Sequence, residues 1–405
     1  MTSDLPFNSA YRRALHDFLG ARGEPLALAR EAARAAQPGS PELVDARVLE
    51  ASLLLCSRDK RDFEAAGWIY AQLAALDKNP LQEKHSTAIR IAVDGDYAAA
   101  CRAYDAILLE HPADELALGV GHVLDYLLGN PAGLRARATR ALAAWRPDAP
   151  TYPAALSLYA FALQECGAYS EAEEVARRAL EREPYDLRAH HAVAHVMEMQ
   201  GRFEDGVRWM GGRSAYWTGA GAASVHLWWH LALYHVELGQ PENALAVLDH
   251  RMQGEGLSEL IDASALLWRL HLYGVDCRSR FAPLAASWAP HAEDAHCAFN
   301  DLHAMMAFVG AGRWDSAERL LAAQVRRVEG SAGVTNEDMT RLVGLPACRA
   351  LAAFGRGDFA GADLLLRGLP PVAHRIGGSH AQRDILQLTR AAALGRRRAG
   401  MRVAA

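Results

Sequence analysis

Apolar residues recur at spacings of three and four along most of the chain, most cleanly over residues 170–182 and 241–252. That period places them on one face of a helix. Alternating β-branched runs, the mark of half-buried strands, are absent, and Ala, Leu, Arg and Glu dominate the helical stretches. These are strong helix formers. The pattern predicts helices throughout, punctuated by glycine and proline.

The punctuation is periodic. A glycine, an aromatic residue or proline two positions later, and a small residue five later recur at Gly95/Tyr97/Ala100, Gly167/Tyr169/Ala172, Gly201/Phe203/Gly206, Gly239/Pro241/Ala244, Gly312/Trp314/Ala317 and Gly357/Phe359/Ala362. Weaker copies begin at Gly23, Arg61 and Gly129, so the first seven anchors are separated by 38, 34, 34, 38, 34 and 38 residues. A unit of about 34 residues is the period of the tetratricopeptide helix-turn-helix repeat. The glycine ends the first helix in a left-handed cap, and the small residue lets the second helix approach. Pro80, Pro112 and Pro184 then close units, because proline cannot continue a helix. The best copy, residues 153–186, sets Leu156, Ala160, Gly167, Ala172, Ala179 and Pro184 at the consensus positions. The expected fold is an all-α, tetratricopeptide-like solenoid curled around a central groove.

One continuous array is expected, with regular repeats over 1–180, a His- and Trp-rich part over 181–395, and a basic tail over 396–405. The gap between Gly239 and Gly312 departs from the period and reads as one irregular helical pair with a loop.

Composition narrows the chemistry. A net charge of −5 over 405 residues, with arginines interleaved among Asp and Glu, argues against nucleic acid as a partner. Lysine occurs only at Lys60, Lys78 and Lys84, so Schiff-base chemistry has few candidates. Six scattered cysteines, without a CxxC pair, suit a reducing cytoplasm. Met1–Pro6 has neither the basic start nor the apolar run of a secretory leader, and no apolar stretch is long enough for a membrane span. Arg396, Arg397 and Arg398 read as a frayed helix end. A homo-oligomer is compatible with all of this.

Histidine is the enriched type: 11 of 17 lie between His190 and His303. Repeat register assigns them directions. Arg188, His191, His195 and Glu198 occupy groove-facing positions of one helix, and His226 and Trp229 those of the next, whereas His190 and His235 fall at packing positions. His191 with His195, and His226 with His230, have the i, i+4 spacing that lets two imidazoles meet one ion, with Glu198 and Asp301 as carboxylate alternatives. No cofactor is expected first, because such spacings arise readily in a His-rich helical chain and HExxH is absent. His195, His230 and His303 are the acid–base candidates, with Asp301 as the orienting carboxylate.

Two helix starts carry a structural and a chemical reading each. Asn300 or Asp301 suits an N-cap, or Asp301 and His303 turn into the groove. Ser379 and Gln382 form a capping box, which leaves Gly377, Gly378, His380 and Arg383 to be explained by an anion site. Of the tryptophans Trp209, Trp217, Trp228, Trp229, Trp268 and Trp288, most are expected in the core, with one or two walling a pocket.

Several stretches together resemble the tetratricopeptide repeat protein 38 family. They are residues 191–202 (HAVAHVMEMQGR), 229–235 (WHLALYH), 262–270 (DASALLWRL), 299–303 (FNDLH), 344–346 (GLP) and 376–384 (IGGSHAQRD). The likeness covers about the last 220 residues strongly and the rest through periodicity. It implies that His195, Trp229, His230, Asp301, His303, His380, Gln382 and Arg383 form a site rather than a scaffold. The leading expectation is a groove, lined by His191, Glu198, His226, Trp229, His380, Gln382 and Arg383, that binds a small organic anion or a short peptide. An acid–base or metal-assisted enzyme and a protein-interaction scaffold are the alternatives, and the residues leave open whether the chain is catalytic.

Overall fold

A computed structural model describes residues 9–219, 221–330 and 333–403, with side chains through Arg398. The leader reading of Met1–Pro6 and the last two residues of the basic tail lie outside them. Among the described residues every regular element is a helix, from Ala10–Leu19 to Ile385–Val403. None is long and apolar enough to cross a membrane.

The glycine period is written into the backbone. Gly23, Gly95, Gly129, Gly167, Gly201, Gly239, Gly312 and Gly357 all adopt φ between 60° and 89°. A residue with a Cβ is strained there. In each case the residue two positions on opens the next helix: Pro25, Tyr97, Pro131, Tyr169, Phe203, Pro241, Trp314 and Phe359. The proline cases sit where the missing N–H costs nothing. Five residues beyond the glycine, Ala100, Ala172, Ala244, Ala317 and Ala362 are all buried. At Gly206 an added Cβ would lie 2.5 Å from the Tyr234 ring.

The structure corrects details of this pattern. The second helix of the second unit is Lys60–Leu73, so its turn falls at Arg58 rather than Arg61. Pro80 opens the helix Pro80–Val93 and closes nothing. Within the Gly239–Gly312 gap, Leu257–Leu272 and Arg278–Trp288 form the expected pair around Gly274, whose φ of 89° restores the period. It escapes the motif because Asp276 stands where an aromatic residue or proline is usual, and the next helix opens four residues on, at Arg278.

The chain divides into two compact bodies, one holding the chain up to Val196 with Gly211–Ser224, the other Met197–Met210 with the chain from Val225 on. In the first, sequential helices pack on one another, and Pro41–Leu55 also packs on Pro80–Val93, its neighbour but one. The first helix, Ala10–Leu19, reaches much further along the chain and packs on Glu115–Leu127. Gly119 makes room for it: an added Cβ would stand 2.6 Å from Phe18. The second body repeats the alternation, with Leu257–Leu272, Ala298–Gly310 and Leu345–Gly355 packed in succession. Arg396 lies over the Phe354 ring at 4.6 Å, inside a helix that continues to Val403, so the tail begins as packed helix.

Candidate functional site

In the first body, His191 and His195 lie on Leu187–Met199. One Nε2–H donates to the other Nε2 at 2.9 Å. Phe161 stacks on His191 at 5.3 Å and meets His195 edge-on at 5.7 Å. His195 is fully buried, deeper than a groove-facing position implies. Arg188, at another such position, is turned to the first helix, where it donates to the carbonyls of Leu19 at 2.8 Å and Phe18 at 3.1 Å. His190 is the buried core residue its register suggests: its Nε2–H donates to Pro184 O at 2.9 Å, and burial holds its pKa at about 4. His235, assigned the same role, is only half-buried and bonds Gln240 at 2.8 Å near the helix end.

The second body gathers more of the polar candidates. His230 Nδ1–H donates to Glu198 Oε2 at 2.7 Å, and His226 Nδ1–H is 2.9 Å from both carboxylate oxygens of Asp262. Burial holds His230 neutral at ordinary pH, far below the usual imidazole range. The same burial pushes Glu198 up to about 7, against the opposing pull of Arg269 and His226. Trp229 is fully enclosed, with His226 stacked on its ring at 5.0 Å and the Arg269 guanidinium 5.5 Å away. It is thus a support for this network and not the wall of an open groove.

Arg269 is buried and carries the network to the C-terminal turn. It donates to Ala265 O at 3.2 Å, to Ala381 O at 2.5 Å and to the Asp384 carboxylate. Neither Asp262 nor Arg269 was singled out by register, yet both stand in a run that is otherwise uncharged, Ile261–Leu270. Charges on an apolar, buried helix require partners, and that was the signal available.

The turn 376–384 also differs from its sequence reading. Gly377 and Gly378 have φ of 79° and 77°, and a Cβ on Gly378 would come within 2.5 Å of Phe299. The glycine pair is therefore explained by backbone conformation and packing. Gln382 is buried and its Oε1 accepts from Ser379 N at 3.0 Å, as the capping box predicts. The helix it caps, His380–Arg383, is a single turn, so the axial dipole that an anion site would use is missing.

What the turn does provide is one wall of a cleft of about 740 Å³. Arg383 and Arg390 are its cations, and His374, His380, Leu366, Leu369, Leu386 and Leu394 line it with them. Arg383 is braced by donating to Gly378 O, and Arg390 by donating through Nε to Asp363 Oδ1 at 2.8 Å. The carboxylate of Asp384, which also lines the cleft, is bonded to Arg269, so its charge is largely compensated. His374 is held below its ordinary range, first by partial burial and then by Arg375 and Arg383.

Asp301 and His303 are both buried on Ala298–Gly310 but serve different neighbours. Two positions apart on a helix, they point in widely different directions. Asp301 Oδ2 accepts from Gln324 at 3.0 Å, and burial raises its pKa to about 7. His303 Nδ1–H donates to Phe299 O at 2.7 Å. Neither Asn300 nor Asp301 caps this helix, whose N-cap is Cys297; the side chain of Asn336 reaches in to accept from Ala298 N at 3.0 Å. No known protein-family model matches the chain.

Proposed function

We propose that the chain is a tetratricopeptide-like repeat protein of the cytoplasm whose C-terminal body binds a small organic anion, or the carboxylate end of a short peptide. The observation that carries this reading is the cleft lined by His380, Arg383 and Arg390 together with leucines. A few convergent polar groups in an otherwise apolar concavity are the usual make-up of a ligand site. Positive charge predominates there, because Asp384 is bonded to Arg269 and the single carboxylate of Asp363 is shared by Arg367 and Arg390. The repeat assignment is supported by the left-handed glycines at their regular spacing and by helices that pack on the next and the next but one.

Acid–base catalysis has less in its favour. His195, His230 and His303 are fully buried, and Asp301 is occupied with Gln324. Trp229 and Gln382 then serve binding indirectly, by holding the wall in place.

An apolar aryl sulfonate, 8-anilinonaphthalene-1-sulfonate, is a suitable probe. It should bind saturably at one site per chain, be displaced by octanoate, and bind about tenfold more weakly to Arg383→Ala, the loss of one charge-assisted contact. Equal binding by the wild type and by both Arg383→Ala and Arg390→Ala would overturn the assignment.

A further inference from the structure

The histidine pair of the second body has a feature that ligand binding in the cleft does not use. His226 and His230 stand one turn apart on Ala222–Glu237, with a ligand nitrogen of each within 4.8 Å of the other. Their rings meet edge to face, with centroids 4.9 Å apart. Both present the same side of the imidazole to a carboxylate: His226 Nδ1–H to Asp262 and His230 Nδ1–H to Glu198. Donation from Nδ1 fixes the tautomer whose lone pair is on Nε2. That is the form in which imidazole binds a metal, and a carboxylate behind each ring is the usual support of a metal-bound histidine.

Two such pairs on neighbouring histidines are hard to attribute to packing. A core histidine needs a single acceptor, which a backbone carbonyl supplies to His190 and His303 and one carboxylate, Asp114, supplies to His85 in this same chain. Burying two carboxylates for that purpose is costly. The cost is offset where a cation draws electron density through both imidazoles. We propose that His226 and His230 are Nε2 ligands of a divalent transition-metal ion, Zn²⁺ first, with Asp262 and Glu198 orienting them. All-imidazole donor sets suit Zn²⁺, Ni²⁺ and Cu²⁺, and exclude Mg²⁺ and Ca²⁺, which take oxygen ligands. His226 retains some contact with solvent, with 19% of its side chain exposed, which gives the ion a way in.

The test uses full-length protein without an affinity tag, stripped with EDTA and titrated with Zn²⁺ against a chromophoric chelator. The wild type should take up Zn²⁺, and X-ray absorption at the Zn edge should fit two or more imidazole nitrogens at about 2.0–2.1 Å. His226→Ala should weaken uptake at least tenfold. Asp262→Asn and Glu198→Gln, which leave both imidazoles in place, should weaken it about 10- to 100-fold. Circular dichroism checks that each variant is folded, and if His226→Ala is not, Asp262→Asn decides. Uptake unchanged in the folded variants, an absorption edge without imidazole, or no Zn²⁺ uptake by the wild type would each overturn the proposal. Sulfonate binding in the cleft is measured separately, so failure of one does not imply failure of the other.

Discussion

Arg188 donates through Nε to the carbonyl oxygen of Leu19 at 2.8 Å, across 169 residues of chain. Its Nη2 takes the adjacent carbonyl of Phe18 at 3.1 Å. These are carbonyls at the end of Ala10–Leu19, where a helix has no intrahelical donors left and where its dipole favours a cation. Leu187 N adds a bond to Gly20 O at 3.2 Å, so the first helix is tied to a segment far along the sequence within the same body. Arg188→Ala leaves those carbonyls without their charged donor, and should lower unfolding stability by about 1–3 kcal/mol. Arg188→Lys should restore only part, because an ammonium does not reproduce the planar fork. A urea midpoint unchanged in Arg188→Ala would show that the first helix does not depend on this contact.

Gly206 tests the close approach that the repeat motif implies. An added Cβ would meet the Tyr234 ring at 2.5 Å. Overpacking of this kind costs about 1–3 kcal/mol, from which the better helix propensity of alanine recovers up to about 1. Gly206→Ala should therefore be destabilised by about 1 kcal/mol. Gly211, on the same helix with nothing within 4 Å, is the control. Gly211→Ala should be neutral or gain about 0.5–1 kcal/mol. Denaturation curves that rank the two variants the other way would refute the packing account.

Why the helices were legible and the polar network less so follows from these same residues. A left-handed turn strongly favours glycine, so most of the period survives in the sequence, although Arg58 stands at one of its turns; Gly274 is obscured because its flanking residues depart from the motif. Direction around a helix is also legible: the i, i+4 spacing of His226 and His230 puts them on one face. Depth is not, because it depends on what another helix brings. Asp262 lies 36 residues beyond His226, and Arg269 meets Asp384 across 115 residues. No local spacing encodes such pairings. The Gly377-Gly378 pair gave the opposite error, since a contact with Phe299 imitated a ligand-binding turn.

Arg269 should matter to the cleft without touching its contents. It is buried, and it holds the turn through Ala381 O and the Asp384 carboxylate. Arg269→Met keeps much of the volume but removes those bonds, each worth about 1.5–3 kcal/mol with a charged partner. The variant should lose on the order of 3 kcal/mol of stability. Where it remains folded, it should bind the sulfonate probe about tenfold more weakly, as the wall that carries Arg383 loosens. Binding that equals the wild type would detach Arg269 from the site.

Asp301 links stability to pH, with a sign that a surface carboxylate would not give. Burial raises its pKa from 3.8 to about 7, against the opposing bond from Gln324. A group whose pKa is higher in the folded state binds its proton more tightly there, so its contribution is complete below about pH 4. It is lost progressively as the pH rises to about 7, and no further change follows above that. The span corresponds to on the order of 4 kcal/mol between the two limits. Asp301→Asn keeps an oxygen to accept from Gln324 but has no charge to bury, so its contribution should not vary with pH. Other buried acids, Asp186 at about 6 among them, titrate in the same range, so the quantity to measure is the difference between variant and wild type. From urea midpoints at pH 4, 5.5 and 8, Asp301→Asn should gain steadily on the wild type and be the more stable protein at pH 8. A difference constant across the three pH values would show that Asp301 is ionised throughout, with the bond to Gln324 and the nearby Arg327 outweighing burial.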